Sequence, residues 1–196
     1  MKKIITVLLL SATLVACFVL FSCGKSDTIK AKIVVKNYGE IIVELDKKTA
    51  PITVENFVNL AKEGFYDGLT FHRIISGFMI QGGDPNGNGT GGSGKNIKGE
   101  FSANGVENNI SHKRGVISMA RGGGYPENMY YNTASSQFFI MHQDRPALDG
   151  NYAAFGHVIE GIEVVDAIAA DARPIDNNGT IPRDEQPVIE SITIID

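Results

Sequence analysis

Residues 71–84 read Phe71-His72-Arg73-Ile74-Ile75-Ser76-Gly77-Phe78-Met79-Ile80-Gln81-Gly82-Gly83-Asp84. Two short β-rich runs flank Ser76-Gly77, which has turn character. Successive side chains of a strand point to opposite faces, so Met79 and Gln81 share one face and Ile80 takes the other. Further along, Ser136-Gln137-Phe138-Phe139-Ile140 repeats the arrangement, with Gln137 and Phe139 on one face. An amide beside a large apolar group on one face suits a groove that holds a peptide. A purely structural sheet would separate the two kinds of residue.

Working outward, Ile29–Lys36 and Gly39–Leu45 are β-rich runs joined by Asn37-Tyr38-Gly39, a hairpin signal. After Pro51 the period changes. Val54, Phe57, Val58 and Ala61 follow i, i+3, i+4, i+7 spacing and Gly64 supplies a stop, so a helix is expected from Pro51 to Glu63. Further strands are expected at 70–75, 78–81, 115–120, 137–142, 153–159 and 188–195, with a second helix at 162–169. Many short strands with two helices fit a mainly β fold, a closed eight-stranded antiparallel barrel capped by two α-helices. Periodicity alone does not choose between barrel and sandwich.

The chain opens with a targeting segment. Lys2 and Lys3 precede an apolar run from Ile4 to Ser22, and Gly24-Lys25-Ser26-Asp27 is abruptly polar. Leu20-Phe21-Ser22-Cys23 resembles a bacterial lipoprotein signal, in which the cysteine is acylated and becomes the N-terminus. Leu14-Val15-Ala16-Cys17 offers a second such site. An uncleaved transmembrane anchor is the alternative. The organisation expected is a signal peptide at 1–22, a polar tether at 23–30 with lipid on Cys23, and one domain at 31–196. The domain would lie on the periplasmic or cell-surface side of a membrane. The chain's 2 cysteines both fall in the leader, so the domain has no thiol for disulfides, metal or nucleophilic chemistry. A net charge of −4 argues against non-specific nucleic-acid binding.

Other motifs weaken on inspection. Gly89–Asn96 comes within one residue of a phosphate-binding loop, but Asn96 stands where Mg²⁺ needs a hydroxyl, and Gly99 would break the helix that should follow. Asp84–Gly89 matches half a calcium loop, yet Lys95 replaces the bidentate Glu. His72, His112, His142 and His157 show no metal-ligand spacing. No cofactor or metal is expected.

The run Phe71–Asp84, Ile117-Ser118-Met119-Ala120, Ser136–Ile140, Leu148-Asp149-Gly150 and Phe155-Gly156 resembles the cyclophilin family, in family order. Thr53–Phe57 and Gly64–Gly68 are similar to it too. The resemblance implies a peptidyl-prolyl cis/trans isomerase, an enzyme that needs no cofactor. It implies Arg73 and Gln81 as catalytic residues, and Phe78, Met79, Phe139 and Leu148 as the proline pocket. It also implies substrate contacts from His72, Ala120, Arg121, Gln137 and Tyr152. Partners would be proline-containing exported polypeptides and, through the lipid, a membrane; the chain is expected to be a monomer. A non-catalytic proline-peptide-binding chaperone or scaffold is the alternative. Four departures from the family stand out. Ser76 replaces a common proline. Ala147 and Tyr152 replace residues common at the pocket rim. The segment 121–135 is longer than the usual connection.

Overall fold

The computed structural model describes residues 28–195. The leader and the candidate lipid sites Cys17 and Cys23 lie outside the described residues. Strand β1 (Thr28–Val35) and β2 (Gly39–Asp46) pair antiparallel along their whole length. β1 begins three residues before the domain boundary set from sequence. At the turn between them, Asn37 takes φ 67°, a left-handed conformation that Asn tolerates well. Alternation then buries Ala31, Ile33 and Val35 from one strand and Ile41, Val43 and Leu45 from the other.

Helix α1 (Pro51–Lys62) buries Val54, Phe57, Val58 and Ala61, the stripe expected from the spacing. Its first-turn amides are satisfied from a distance, since no neighbouring side chain caps them. The Glu100 carboxylate accepts from the Ile52 and Thr53 amides at 3.1 and 2.8 Å and from the Thr53 hydroxyl at 2.7 Å. A buried carboxylate at the positive end of a helix is stabilising there. Gly64, at φ 68°, ends the segment.

The chain continues through β3 (Phe71–Ile75), β4 (Met79–Gly82), β5 (Val116–Met119), β6 (Phe138–Met141), β7 (Ala154–Glu160), α2 (Ile162–Asp171) and β8 (Ile189–Ile195). All fall where the sequence places them, within one or two residues. Short 3₁₀ turns at Ser102–Asn104, Glu127–Tyr130 and Pro146–Leu148 have no periodic signal and were not foreseen.

Among the described residues the strands form one antiparallel sheet of 8, in the order β3-β4-β6-β5-β7-β2-β1-β8. The expected closure into a full barrel is not found: the sheet is a half-barrel. Among the described residues its end strands, β3 and β8, share no ladder, and an isolated bridge from Thr70 to Val188 marks the seam. The physical reason is that the segment 172–188 occupies the free edge of β3. The Ile74 amide donates to Gly179, the Ile181 amide to His72 and the Phe71 amide to Pro187. The edge of β3 is thus satisfied by irregular chain, which also brings Asn178 beside Arg73.

Apolar side chains collect on both faces. The inner face packs Phe57 against Tyr66, Phe138 and Phe155 at centroid distances of 5.2, 5.4 and 5.3 Å. The outer face carries a smaller cluster of Met79, Val116, Phe139, Met141 and Ala154. That second cluster is the floor of the site.

Candidate active site

Strand register builds the site. Arg73 lies directly opposite Gln81, Gln81 opposite Phe139, and Phe139 opposite Ser118. Directly paired residues of neighbouring strands project to the same side. One row across β3, β4, β6 and β5 therefore presents a cation, an amide, an aromatic ring and a hydroxyl to the outer face.

The polar members are chained. Arg73 Nη1 donates to Gln81 Oε1 at 3.1 Å, and Gln81 Nε2 donates to Gln137 Oε1 at 2.9 Å. Gln137 Nε2 in turn donates to the carbonyls of Gly89 and Gly91, at 3.1 and 2.8 Å. On its other side Arg73 Nε donates to the Asn178 carbonyl at 2.7 Å. The guanidinium is thus held from two directions, and its planar fork is fixed in space. Burial lowers the Arg73 pKa, opposed by Tyr152 and Asp176. The starting value is so high that the side chain stays charged.

Beside the cation is a slot of about 130 Å³. Phe78, Met79, Phe139, Leu148 and Tyr152 make its apolar walls, and Arg73, Gln81, Ala120 and Arg121 its polar side. Every expected site residue except Gln137, His72 and the lipid-site cysteine borders this one space. Gln137 is one hydrogen bond away. His72 is 3 % exposed and lines a neighbouring cavity of about 310 Å³, with neither buried ring nitrogen hydrogen-bonded. Burial pushes its pKa down, against the pull of Asp84. On the far side of Gln81, a larger cavity of about 540 Å³ runs along Gly89–Gly94 to Thr133 and Ser135. Gln81 lines all three spaces, so the slot and the two cavities adjoin around its side chain.

The wall behind Phe139 has its own support. His112 stacks on Phe139 at 6.0 Å and 20°, and its Nδ1 and Nε2 lie 2.9 Å from Asp149 Oδ1 and 3.0 Å from Ser118 Oγ. A carboxylate needs a donor, so Nδ1–H faces Asp149 and Nε2 accepts from the serine. The order Ser-His-Asp suggests acyl transfer, but Ser118 is fully buried and no carbonyl can reach it. Burial keeps the His112 pKa low despite Asp149.

The other motifs find plain roles. Asp84 caps its own loop, accepting from the Asn86, Asn88 and Gly89 amides at 2.8, 3.0 and 2.6 Å. Burial would raise its pKa, yet these bonds hold it below the usual value. Arg121 is a rivet: its side chain is 3 % exposed. It donates to the Asn151 carbonyl and to Glu127, and its guanidinium lies 4.7 Å from the Tyr152 ring centre. Sequence reasoning missed Asn178, His112 and Asp149 as supports. Asp176–Thr180 reads only as a turn, and nothing local says whose edge it meets.

Comparison with known proteins points the same way. A family described as cyclophilin-type peptidyl-prolyl cis-trans isomerase matches residues 30–195. The chain belongs to the cyclophilin family. It is 50 % identical over 134 residues to a peptidyl-prolyl cis-trans isomerase of Helicobacter pylori, covering 67 % of this chain and 76 % of that one. To isomerase B of Bacillus subtilis it is 48 % identical over 124 residues, covering 63 % and 79 %. A crystal structure of a cyclophilin-type isomerase from Cryptosporidium parvum superposes with a TM-score of 0.73 at 32 % identity, covering 86 % and 98 %. A second structure of that protein was obtained in the presence of the dipeptide Ala-Pro. This cyclophilin is accordingly a peptidyl-prolyl cis-trans isomerase.

Proposed function

We propose that this cyclophilin isomerises Xaa-Pro bonds of exported polypeptides from a membrane tether, with Arg73 as its catalytic group. The chemistry asked of it is modest in kind. Amide resonance sets a barrier of roughly 18–20 kcal/mol to rotation about the C–N bond. No bond breaks, so the enzyme has only to favour a twisted amide over a planar one. Twisting returns the lone pair to the prolyl nitrogen and makes it an acceptor. A fixed guanidinium donates to that nitrogen and gains little from the flat form.

The observation that carries this reading is Arg73, held by Gln81 and Asn178 at the lip of an apolar slot about 130 Å³ in volume. Phe78, Met79, Phe139 and Leu148 would hold the prolyl ring. Burying it contributes on the order of 1–2 kcal/mol. Gln81 orients Arg73, Gln137 orients Gln81, and the backbone at Ala120 and Arg121 pairs with the peptide. Tyr152 closes the rim. His72 is buried and borders the neighbouring cavity, not the slot.

The tether rests on the sequence alone: Lys2 and Lys3, the apolar run to Ser22, and Cys23 before a polar stretch. No helix among the described residues is long and apolar enough to cross a membrane. Mass spectrometry of the native N-terminus tests the tether. A diacylglyceryl cysteine at 23 is the expected result; an unmodified Met1 refutes it.

The catalytic role is tested by exchange spectroscopy on a short Xaa-Pro peptide. Arg73→Ala should lower kcat/KM on the order of 10²–10³-fold, as removal of a preorganised donor does, with peptide binding retained. Equal rates in both proteins would remove Arg73 from the mechanism.

A further inference from the structure

We propose that the segment 121–135 is a client-holding arm, which binds an apolar stretch of the unfolded polypeptide whose proline sits in the slot. The inference rests on the isomerase reading above, and its occupant is the same substrate chain, further along.

The arm is built rather than slack. Thr133 Oγ1 accepts from the Gly122 amide and donates to the Tyr130 carbonyl, both at 2.8 Å, closing its base. Arg121 fastens it to Glu127 within the arm at 2.6 Å and to the Asn151 carbonyl outside it at 3.0 Å. Tyr130 folds back on the glycines: a Cβ added at Gly122 or Gly124 would fall 2.8 or 2.6 Å from it. Side chains there would push the ring away, which explains the glycines physically.

Continuity ties the arm to the groove. Its inner face supplies Gly122, Tyr130 and Thr133 to the cavity of about 540 Å³. That cavity shares Gln81, Ala120 and Arg121 with the proline slot. A chain leaving the slot along this side runs against the arm.

The arm nonetheless leaves Tyr125 97 % exposed and Met129 70 % exposed. Single exposed apolar residues are ordinary. Two of them within five positions, on a braced arm beside a substrate groove, call for a partner. Their chemistry suits varied clients. Tyr offers large area at little entropy cost, and Met adapts its shape. The charge pattern selects the partner's class. From Gly122 to Ser135 the one ionised side chain is Glu127, which Arg121 neutralises. An arm whose one cation, Arg121, is buried and spent on Glu127 and the Asn151 carbonyl is poorly made for an anionic membrane surface. It suits a neutral, apolar polypeptide.

The test is a ladder of Xaa-Pro peptides lengthened with apolar residues from about four to about twelve, an added reach of roughly 28 Å. Binding is read by fluorescence anisotropy and turnover by exchange spectroscopy, in the wild type and in Tyr125→Ser/Met129→Ser. The wild type should gain roughly tenfold in Kd along the ladder, as partial burial of two such side chains implies. The double variant should lose that gain while matching the wild type on the shortest peptide. Identical length dependence in both proteins overturns the arm. So does a variant whose only defect is weaker binding to phosphatidylcholine vesicles, since that outcome makes the patch a membrane contact. Absence of turnover on the shortest peptide sinks the isomerase reading instead, and the Kd ladder still decides the arm.

Discussion

Two arginines face the same slot and are held in opposite ways. Arg73 stands on a strand, its position set by pairing with Gln81, and its bonds go to groups that aim it. Arg121 stands where β5 gives way to loop, and its bonds go to Asn151, Gly122 and Glu127, which it gathers together. One guanidinium is positioned by the fold; the other positions part of the fold. The chemistry thus sits on the sheet, where register fixes geometry, and the reach of the groove sits on loops, which vary without disturbing it.

Removing both in parallel is the sharpest way to break this contrast. Arg73→Ala should lose turnover on the scale given above while its melting temperature moves little. Arg121→Ala should do the reverse. Its guanidinium stacks near Tyr152, Tyr131 and Phe101 at 4.7, 5.3 and 5.6 Å, so truncation removes several cation–π contacts and hydrogen bonds. A loss of about 2 kcal/mol in stability is expected, read by thermal melting, with short-peptide turnover down only a few-fold. If Arg121→Ala abolishes turnover at full stability, the contrast is false.

A smaller effect sharpens the first half. Gln81→Leu keeps the volume but takes away the acceptor for Arg73 and the donor for Gln137. Losing one hydrogen bond to a charged group corresponds to roughly a tenfold fall in kcat. The Asn178 carbonyl still holds Nε, so the loss should stay below that of Arg73→Ala. Exchange rates at saturating peptide measure it.

The same division explains what was legible in the sequence. Strand residues that alternate, such as Ile33, Val35, Met79 and Gln81, announced their faces, and the stripe Val54-Phe57-Val58-Ala61 announced a helix. Most of the slot could be named by number because family-like motifs lie on those strands. Closure was misjudged, because a strand count does not reveal that 172–188 takes the edge of β3. Asn178 was missed for the same reason: its contribution is a main-chain carbonyl, which any residue carries. His112 shows only the lack of metal-ligand spacing in the sequence, since its partners Ser118 and Asp149 are brought to it by tertiary packing. Arg121 is expected to meet the substrate through its backbone; that its guanidinium holds the arm and Asn151 depends on tertiary contacts that no local pattern shows.

The last expected effect is nil near neutrality and grows in acid. His72 and His112 are both buried with pKa values below the ordinary 6.5. The folded protein thus keeps both neutral at a pH where the unfolded chain takes up protons. Unfolding gains proton binding, so stability is complete above about 6.5 and declines as pH falls below it. Asp84 acts lower down: its pKa is held below 3.8, and its contribution persists until pH drops under that value. Between the two the histidines carry the slope. They differ in kind, because His112 keeps Asp149 and Ser118 as partners, whereas neither nitrogen of His72 has one. Replacing His72 with Phe removes one proton-binding site and one unsatisfied ring. Melting curves taken from pH 7 to 4.5 should therefore fall less steeply in His72→Phe than in the wild type. Parallel curves would mean that His72 takes its proton in the folded state as readily as in the unfolded one, and that its burial exerts no electrostatic effect.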